Sequence, residues 1–269
     1  MNSSDGAAPV GRSRRRILIL GYHSVSDTWP AATSVRPRDL FEQLAALVRR
    51  GFRGATLTEA LTAPRHPRTL VVTFDDAHRS VLELGLPILE RMGLPGTVFV
   101  PTAYPASGRP LDWDGYSRWL GTEHEHELAC MDWDQLRRLA RRGWEIGSHT
   151  RSHPRLTHLG DADLASELRG SREDCEDALG RRCVSIAYPY GDVDGRVAAA
   201  ARDAGFALGA TLPRHAAPPL PLLWPRVGVY HGEDAKVVRR RAWRRAHPLA
   251  DAGIGAVLTA ARGMLGRGA

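Results

Sequence analysis

The sequence predicts an α/β fold, a (β/α) barrel in a single domain with a basic C-terminal tail. Three observations carry this. Short apolar runs alternate with stretches at helical spacing, which argues a parallel sheet with crossover helices. The run Leu70, Val71, Val72, Phe74 is apolar with β-branched residues, as a strand covered on both faces should be. The 269 residues, 43% hydrophobic, are ample for one large core and suit a single α/β barrel, although length alone suggests nearer two domains.

The elements follow in chain order. Residues 1–15 are polar, small and basic, and are predicted disordered. Strand one runs from Ile17 to His23. A helix covers Arg38 to Arg50, with Phe41, Leu44, Leu47 and Val48 at helical spacing and Gly51 as its stop. The next strand, from Thr69, ends in Asp75 and Asp76. Glu83 to Met92 reads as helix, with Pro87 early and Gly93 at its end, and Thr97 to Val100 as strand. The stretch from Pro101 to Cys130, with Trp113 and Trp119, breaks the rhythm and is expected to rise above the sheet and shape substrate binding. Within it His124 and His126 alternate with Glu123, Glu125 and Glu127, which suits a solvated polar segment better than a second metal site.

Asp132 or Asp134 caps a helix carrying Leu136, Leu139 and Ala140, stopped by Gly143. Trp144 to Ile146 is strand-like and leads into Gly147-Ser148-His149. A helix from Asp161 to Leu179 turns Leu164, Leu168, Cys175 and Leu179 inward. Strand Val184–Tyr188, an Ala-rich helix Arg196–Ala204, strand Phe206–Thr211, a loop from Pro213 to Pro225 and a last strand Val227–Tyr230 complete the barrel. Beyond it, Lys236, Arg239, Arg240, Arg241, Arg244 and Arg245 interleave with Val237, Val238 and Trp243 without an acid, and Ile254 to Leu265 is weakly amphipathic. This tail is either a helix packed on the barrel or an interfacial membrane contact. The predicted division is 1–15, a barrel over 16–235, and a C-terminal extension over 236–269.

The formal charge of +7 permits binding to nucleic acid or anionic lipid without showing either. Cys130, Cys175 and Cys183 are odd in number and lack metal-type spacing, so reduced, cytosolic thiols are expected. No eighteen-residue apolar run exists. Ser13-Arg14-Arg15-Arg16 looks like a twin-arginine signal, but the apolar run after it is only Ile17 to Leu20, shorter than an export signal needs. A cytoplasmic protein, peripheral on the inner membrane face if the tail binds lipid, is the expectation.

Two adjacent carboxylates cannot sit inside a strand unpartnered, so Asp75 and Asp76 belong at its C-terminal mouth near a cation. Otherwise one would cap the following helix and the other be solvated. Thr73-Phe74-Asp75-Asp76-Ala77, His149-Thr150-Arg151-Ser152-His153 and Tyr188-Pro189-Tyr190-Gly191 occur in that order. Together they resemble the motifs of the polysaccharide deacetylase family, the NodB-homology domain or carbohydrate esterase family four, over about residues 17–230. Two departures stand out: Ala77 replaces the usual Gly, and Ala187 stands where many members carry Arg.

The resemblance implies a distorted (β/α)7-8 barrel. Asp76, His149 and His153 offer one oxygen and two imidazole nitrogens, and two His four residues apart face one way on a helical turn. Three protein ligands with an open position is the catalytic zinc pattern, and such a metal brings the pKa of water towards ~7. Zn²⁺ is the expected ion, with Co²⁺, Ni²⁺ or Mn²⁺ as alternatives. The competing assignment makes both histidines helix caps or core residues.

Asp75, beside a ligand, is placed to act as base, the role its family counterpart has. The Tyr190 amide, in a tight turn, matches the family's oxyanion donor, although an ordinary turn fits as well. The C-terminal Leu-x-x-His motif that supplies the acid in most members is absent. Tyr22-His23 matches a branch that includes poly-N-acetylglucosamine deacetylases, which makes His23 the expected acid, its pKa slightly raised by the carboxylates; His231 is the poorer alternative. Arg226, in Trp224-Pro225-Arg226-Val227, resembles a late Arg of that branch and is expected to orient Asp75.

The expected activity is metal-dependent removal of an N-acetyl group from an amino sugar in a glycan, glycolipid or glycoconjugate precursor. The expected partner is that N-acetylated sugar or conjugate. A carbohydrate-binding relative without turnover is the alternative, and nucleic-acid binding rests on charge alone.

Overall fold

The computed structural model describes residues 16–212 and 219–245. The chain opens with β1 (Arg16–Tyr22), the short pair β2 (Ser24–Val25) and β3 (Ser34–Val35), and α1 (Pro37–Val48). Then come β4 (Arg53–Gly54), α2 (Leu57–Thr62), β5 (Arg68–Phe74), α3 (Leu86–Arg91) and β6 (Gly96–Val100). After the long excursion follow α4 (Trp133–Arg141), β7 (Glu145–Ser148), α5 (Asp161–Leu179), β8 (Ser185–Ala187), α6 (Gly195–Asp203) and β9 (Leu208–Thr211). Two short strands, β10 (Trp224–Pro225) and β11 (Val227–Gly228), and helix α7 (Ala235–Arg245) end the described chain.

All ladders of the main sheet are parallel, in the order β10-β9-β8-β7-β6-β5-β1-β11, with β4 beside β5. The sheet curls into a nearly closed barrel because β10 and β11 are halves of one extended stretch. Trp224 and Pro225 pair with Ala210 and Thr211 of β9; Val227 and Gly228 pair with Leu20 and Gly21 of β1. Arg226 stands between the halves, its N–H donating to the Thr211 carbonyl at 2.9 Å. The predicted loop therefore ends before Trp224: Pro225 lacks an N–H, but at the end of a two-residue strand none is needed.

Strands β5 and β6 are buried nearly throughout, as their apolar runs required. Phe74 stacks on Trp144 at 5.8 Å, and a Cβ at Gly96 would collide with that indole, so the close approach of these elements depends on glycine. Three helix starts follow from caps. Thr56 and Asp132 each form a capping box, with Glu59 and Gln135, and Asp194 accepts from the Val197 N–H. Asp132, not Asp134, is thus the cap of α4. The helix expected from Glu83 is in fact a π turn over Val81–Gly85 followed by α3, with Pro87 in the first turn of α3, where its missing N–H costs nothing.

The tail begins as the packed alternative had it: α7 lies against α1 and β11 and buries Val238 and Ala242. Expectations for residues 1–15, for the segment Ile254–Leu265 and for 213–218 of the loop lie outside the described residues. Among those described, no helix is long and apolar enough to cross a membrane.

Candidate active site

Parallel strands end on one rim, and here that rim carries the chemistry. His23 follows β1, Asp75 and Asp76 follow β5, His149 follows β7, and Tyr188 and Tyr190 follow β8. All six line a single cavity of about 230 Å³. The far wall comes from the excursion between β6 and α4, which contributes Trp113, Asp114, Gly115 and Tyr116.

Asp76 and Ala77 turn the chain out of β5 through two consecutive left-handed conformations, with φ of 68° and 52°. Such a conformation costs a side-chain-bearing residue of order 1–3 kcal/mol, which is why glycine suits position 77. Ala77 takes it nonetheless, fully buried. Asp76 Oδ2 accepts from the Tyr116 hydroxyl at 2.7 Å. Asp76 Oδ1 is buried with no hydrogen-bond partner among the described residues. It faces His149 Nε2 at 3.4 Å and His153 Nε2 at 3.5 Å.

The two histidines meet by a different route from the helical turn expected of their spacing. Ser148 Oγ accepts from the Thr150 N–H at 3.0 Å, and Thr150 Oγ1 from the His153 N–H at 3.1 Å. These side-chain bonds compete with helix formation, and Thr150 and His153 adopt φ of 66° and 63°. His149 Nδ1 donates to the Ala187 carbonyl at 2.8 Å, which leaves Nε2 towards Asp76. The His153 ring stacks on Trp113 at 3.9 Å.

Burial drives the Asp76 carboxyl upward, but His149 and His78 outweigh it and hold it well below the usual range. Burial lowers His149, yet Asp76 and Asp75 more than offset that and raise it. Burial dominates at His153 and pushes it down to about 3. The field thus favours positive charge between an ionised Asp76 and the imidazoles. With an orphaned carboxylate oxygen and three donor atoms within 4.8 Å of one another, this group fits a divalent cation. Among the described residues it is the one such cluster; His126 is exposed and His124 packs on Trp119 at 5.3 Å. Glu127 departs from the solvated reading, being buried and accepting from the Ser26 hydroxyl.

Asp75 sits beside this cluster in a different environment. Arg226, fully buried, donates to both of its oxygens at 2.7 Å and to Thr73 Oγ1 at 2.8 Å. Burial raises the Asp75 pKa, but Arg226 and then His149 outweigh it and bring the carboxyl below its usual range. Each carboxylate oxygen has a second lone-pair site, so the Arg226 fork leaves acceptor capacity. His23 Nε2 lies 4.0 Å from Asp75 Oδ2. Its pKa moves opposite to expectation: burial lowers it, and the neighbouring carboxylates offset that only in part. His231 does not line the cavity; its Nδ1 lies 3.2 Å from the Ser34 carbonyl.

Tyr190 takes φ 59°, ψ 4° in the turn after β8, where the Gly191 and Asp192 N–H groups close on the Tyr188 and Pro189 carbonyls and the Tyr190 N–H takes no part. Arg155 covers its ring at 4.1 Å. The site residues that sequence reasoning missed are Tyr116 and His78, while Trp113 was foreseen only as part of the excursion. His78 Nε2 lies 3.0 Å from the Tyr116 hydroxyl, and its Nδ1 donates to the Glu127 carbonyl at 3.0 Å. A His two positions after the Asp pair was visible, but nothing in its spacing tied it to Tyr116.

The chain is also similar to known proteins in sequence and in fold. A family profile described as polysaccharide deacetylase matches residues 62–209. A Bacillus subtilis protein named for polysaccharide deacetylases, YxkH, is 27% identical over 73% of this chain and 64% of its own length. The poly-beta-1,6-N-acetyl-D-glucosamine N-deacetylase of Staphylococcus aureus is 24% identical over 56% of this chain and 50% of its own. The chain therefore spans between half and two thirds of these relatives. The Streptococcus pyogenes deacetylase PplD shares the fold with a TM-score of 0.70 at 20% identity, over 84% of this chain and 98% of that one. IcaB from Ammonifex degensii gives 0.67 at 23%, over 86% and 98%. With its three motifs converging on one rim of a barrel shared with these proteins, the chain belongs to the polysaccharide deacetylase family.

Proposed function

We propose that this protein is a metal-dependent carbohydrate N-deacetylase, which hydrolyses an N-acetyl group on an amino sugar to acetate and a free amine. The observation that carries the reading is the orphaned Asp76 Oδ1 facing His149 and His153 in the cavity that also holds Asp75. Asp76, His149 and His153 are the residues that would hold the ion, for which zinc best suits the donor set. A divalent ion there, when bound, supplies Lewis acidity towards the amide carbonyl and acidifies water.

The chain's own residues divide the remaining work. Asp75 takes the proton of the attacking water, and Arg226 keeps its carboxylate ionised and fixed in direction. The Tyr190 N–H is the donor for the oxygen that becomes negative as the carbonyl is attacked. When the C–N bond breaks, the amine leaves with a proton. His23, next to Asp75, is the group that hands it over, and because burial keeps this imidazole neutral, it does so after receiving the proton Asp75 has taken. Trp113 and Tyr190 offer flat apolar surface at the mouth for a sugar ring.

The substrate of the Staphylococcus aureus relative supports N-acetylglucosamine in a glycan as the first sugar to try. The cytosolic or inner-membrane-face setting rests on the cysteines and the basic tail. The test is acetate release from N-acetylglucosamine oligomers by metal-stripped protein before and after zinc is restored. Zinc-dependent release supports the reading; sugar binding without release at any metal level would favour the non-catalytic alternative.

A further inference from the structure

The opposite, N-terminal end of the barrel holds a second cavity, of about 250 Å³, between the starts of β1 and β5 and the helices α1 and α7. Its floor is apolar and buried: Leu18, Leu47, Phe52 and Ala242. Its rim carries Arg16, Arg50, Arg68 and Arg239, and among the described residues no carboxylate lines it. Strand register sets Arg16 abreast of Arg68. Arg68 donates to the Arg50 carbonyl at 2.6 Å and Arg50 to the Ala46 carbonyl at 2.8 Å. These bonds fix both side chains at the rim and leave further N–H groups on each. Neither they nor Arg239 reaches a carboxylate among the described residues.

We propose that this cavity binds the phosphate headgroup of an anionic lipid, with the first carbons of its chains on the apolar floor. Arg50, Arg68 and Arg239 present three guanidinium groups to an anion at this rim, and Arg forks suit phosphate oxygens. The apolar floor has no use for inorganic phosphate but suits an amphiphile. The adjoining sequence does not complement the rim, because it has the same sign. Residues 1–15 carry Arg12, Arg14 and Arg15 against Asp5, and residues 246–269 carry Arg262 and Arg267 against Asp251. Those segments would be drawn to the same anionic surface. A lipid surface at this end leaves the catalytic rim facing away from it. The site is independent of the deacetylase reading.

Flotation of the full chain with vesicles of phosphatidylcholine, alone or with phosphatidylglycerol, tests this. Wild type should float only with the anionic vesicles. Arg68→Gln with Arg239→Gln should lower partitioning about thirtyfold, the worth of two basic residues at such a surface. Lys236→Gln with Arg240→Gln, an equal charge loss outside the cavity, should lower it only a few-fold. Equal losses for the two pairs, or no flotation of wild type, would overturn the site. A measurement on wild type alone guards against a misfolded variant. Dihexanoyl phosphatidylglycerol should raise the melting temperature, whereas glycerol phosphate or inorganic phosphate at the same concentration should not. An equal rise with either phosphate would assign the cavity to a free anion and overturn the lipid.

Discussion

Arg226 and Asp75 meet as a two-pronged ion pair with both side chains out of water. Breaking such a pair strands a buried charge, so Arg226→Met should destabilise the fold by about 3–5 kcal/mol at neutral pH. Because the folded pKa of Asp75 is depressed, its share of stability is present above the unfolded value, ~3.9, and is lost as pH falls through the lower folded one. The gap between wild type and Arg226→Met, read by urea unfolding, should therefore narrow in acid. Without Arg226 the Asp75 pKa also rises, so the acid limb of kcat/KM should move to higher pH in the variant; an unmoved limb would separate the pair from catalysis. Tyr116 acts on the other carboxylate. Burial and Asp76 push its phenol well above the ordinary value, so it stays a neutral donor to Asp76. Tyr116→Phe should weaken zinc binding 10–100-fold, read by competition with a chromophoric chelator. Asp75, Asp76, His149, His153, Tyr190, His23 and Arg226 were all legible as motif positions. Tyr116 was not, because its bond to Asp76 spans 40 residues and leaves no local pattern.

Among the elements, strands and amphipathic helices were the legible ones, since burial imposes a period on their residues. The Asp161–Leu179 helix matches its prediction end to end. The short pieces α2, β4 and β10 were not, being too brief to show a period. The His149–His153 segment shows the opposite failure: the spacing suggested a helix, and Ser148 and Thr150 side chains fold it otherwise. The excursion after β6 was legible only as an interruption. It is tied back to the barrel where Glu127 accepts from Ser26 Oγ and where His78 Nδ1 donates to the Glu127 carbonyl. Glu127→Ala leaves Ser26 without its acceptor in a buried place, which should cost about 1–3 kcal/mol in thermal or urea unfolding. Since Trp113 and Tyr116 ride on the same excursion, KM should rise more than kcat falls. A fall in kcat alone would mean that the excursion does not position the sugar.

At the scale of the molecule, the barrel brings His23, Asp75, His149 and Tyr190 from four strand ends to one cavity, and the 224–228 stretch closes it by pairing with β9 and β1. Parallel strands on one rim and a last strand from Val227 could be foreseen; the Trp224–Pro225 half on the other side of Arg226 could not, because two residues that include a proline carry no strand signal of their own. α7 completes the wall at β11, and a chain ending at Asp234 loses the burial of Val238, worth about 1.5–3 kcal/mol, together with that of Ala242. It should melt at a lower temperature yet retain its zinc, because no proposed ligand lies beyond His153. The central claim is that one metal-binding group and one separate base share the catalytic rim. It is tested most directly by measuring zinc content and acetate release together for wild type, His149→Ala and Asp75→Asn. The account predicts zinc and release in wild type, neither in His149→Ala, and full zinc with release lowered about 10²–10⁴-fold in Asp75→Asn. Full zinc in His149→Ala, or loss of zinc in Asp75→Asn, would contradict it.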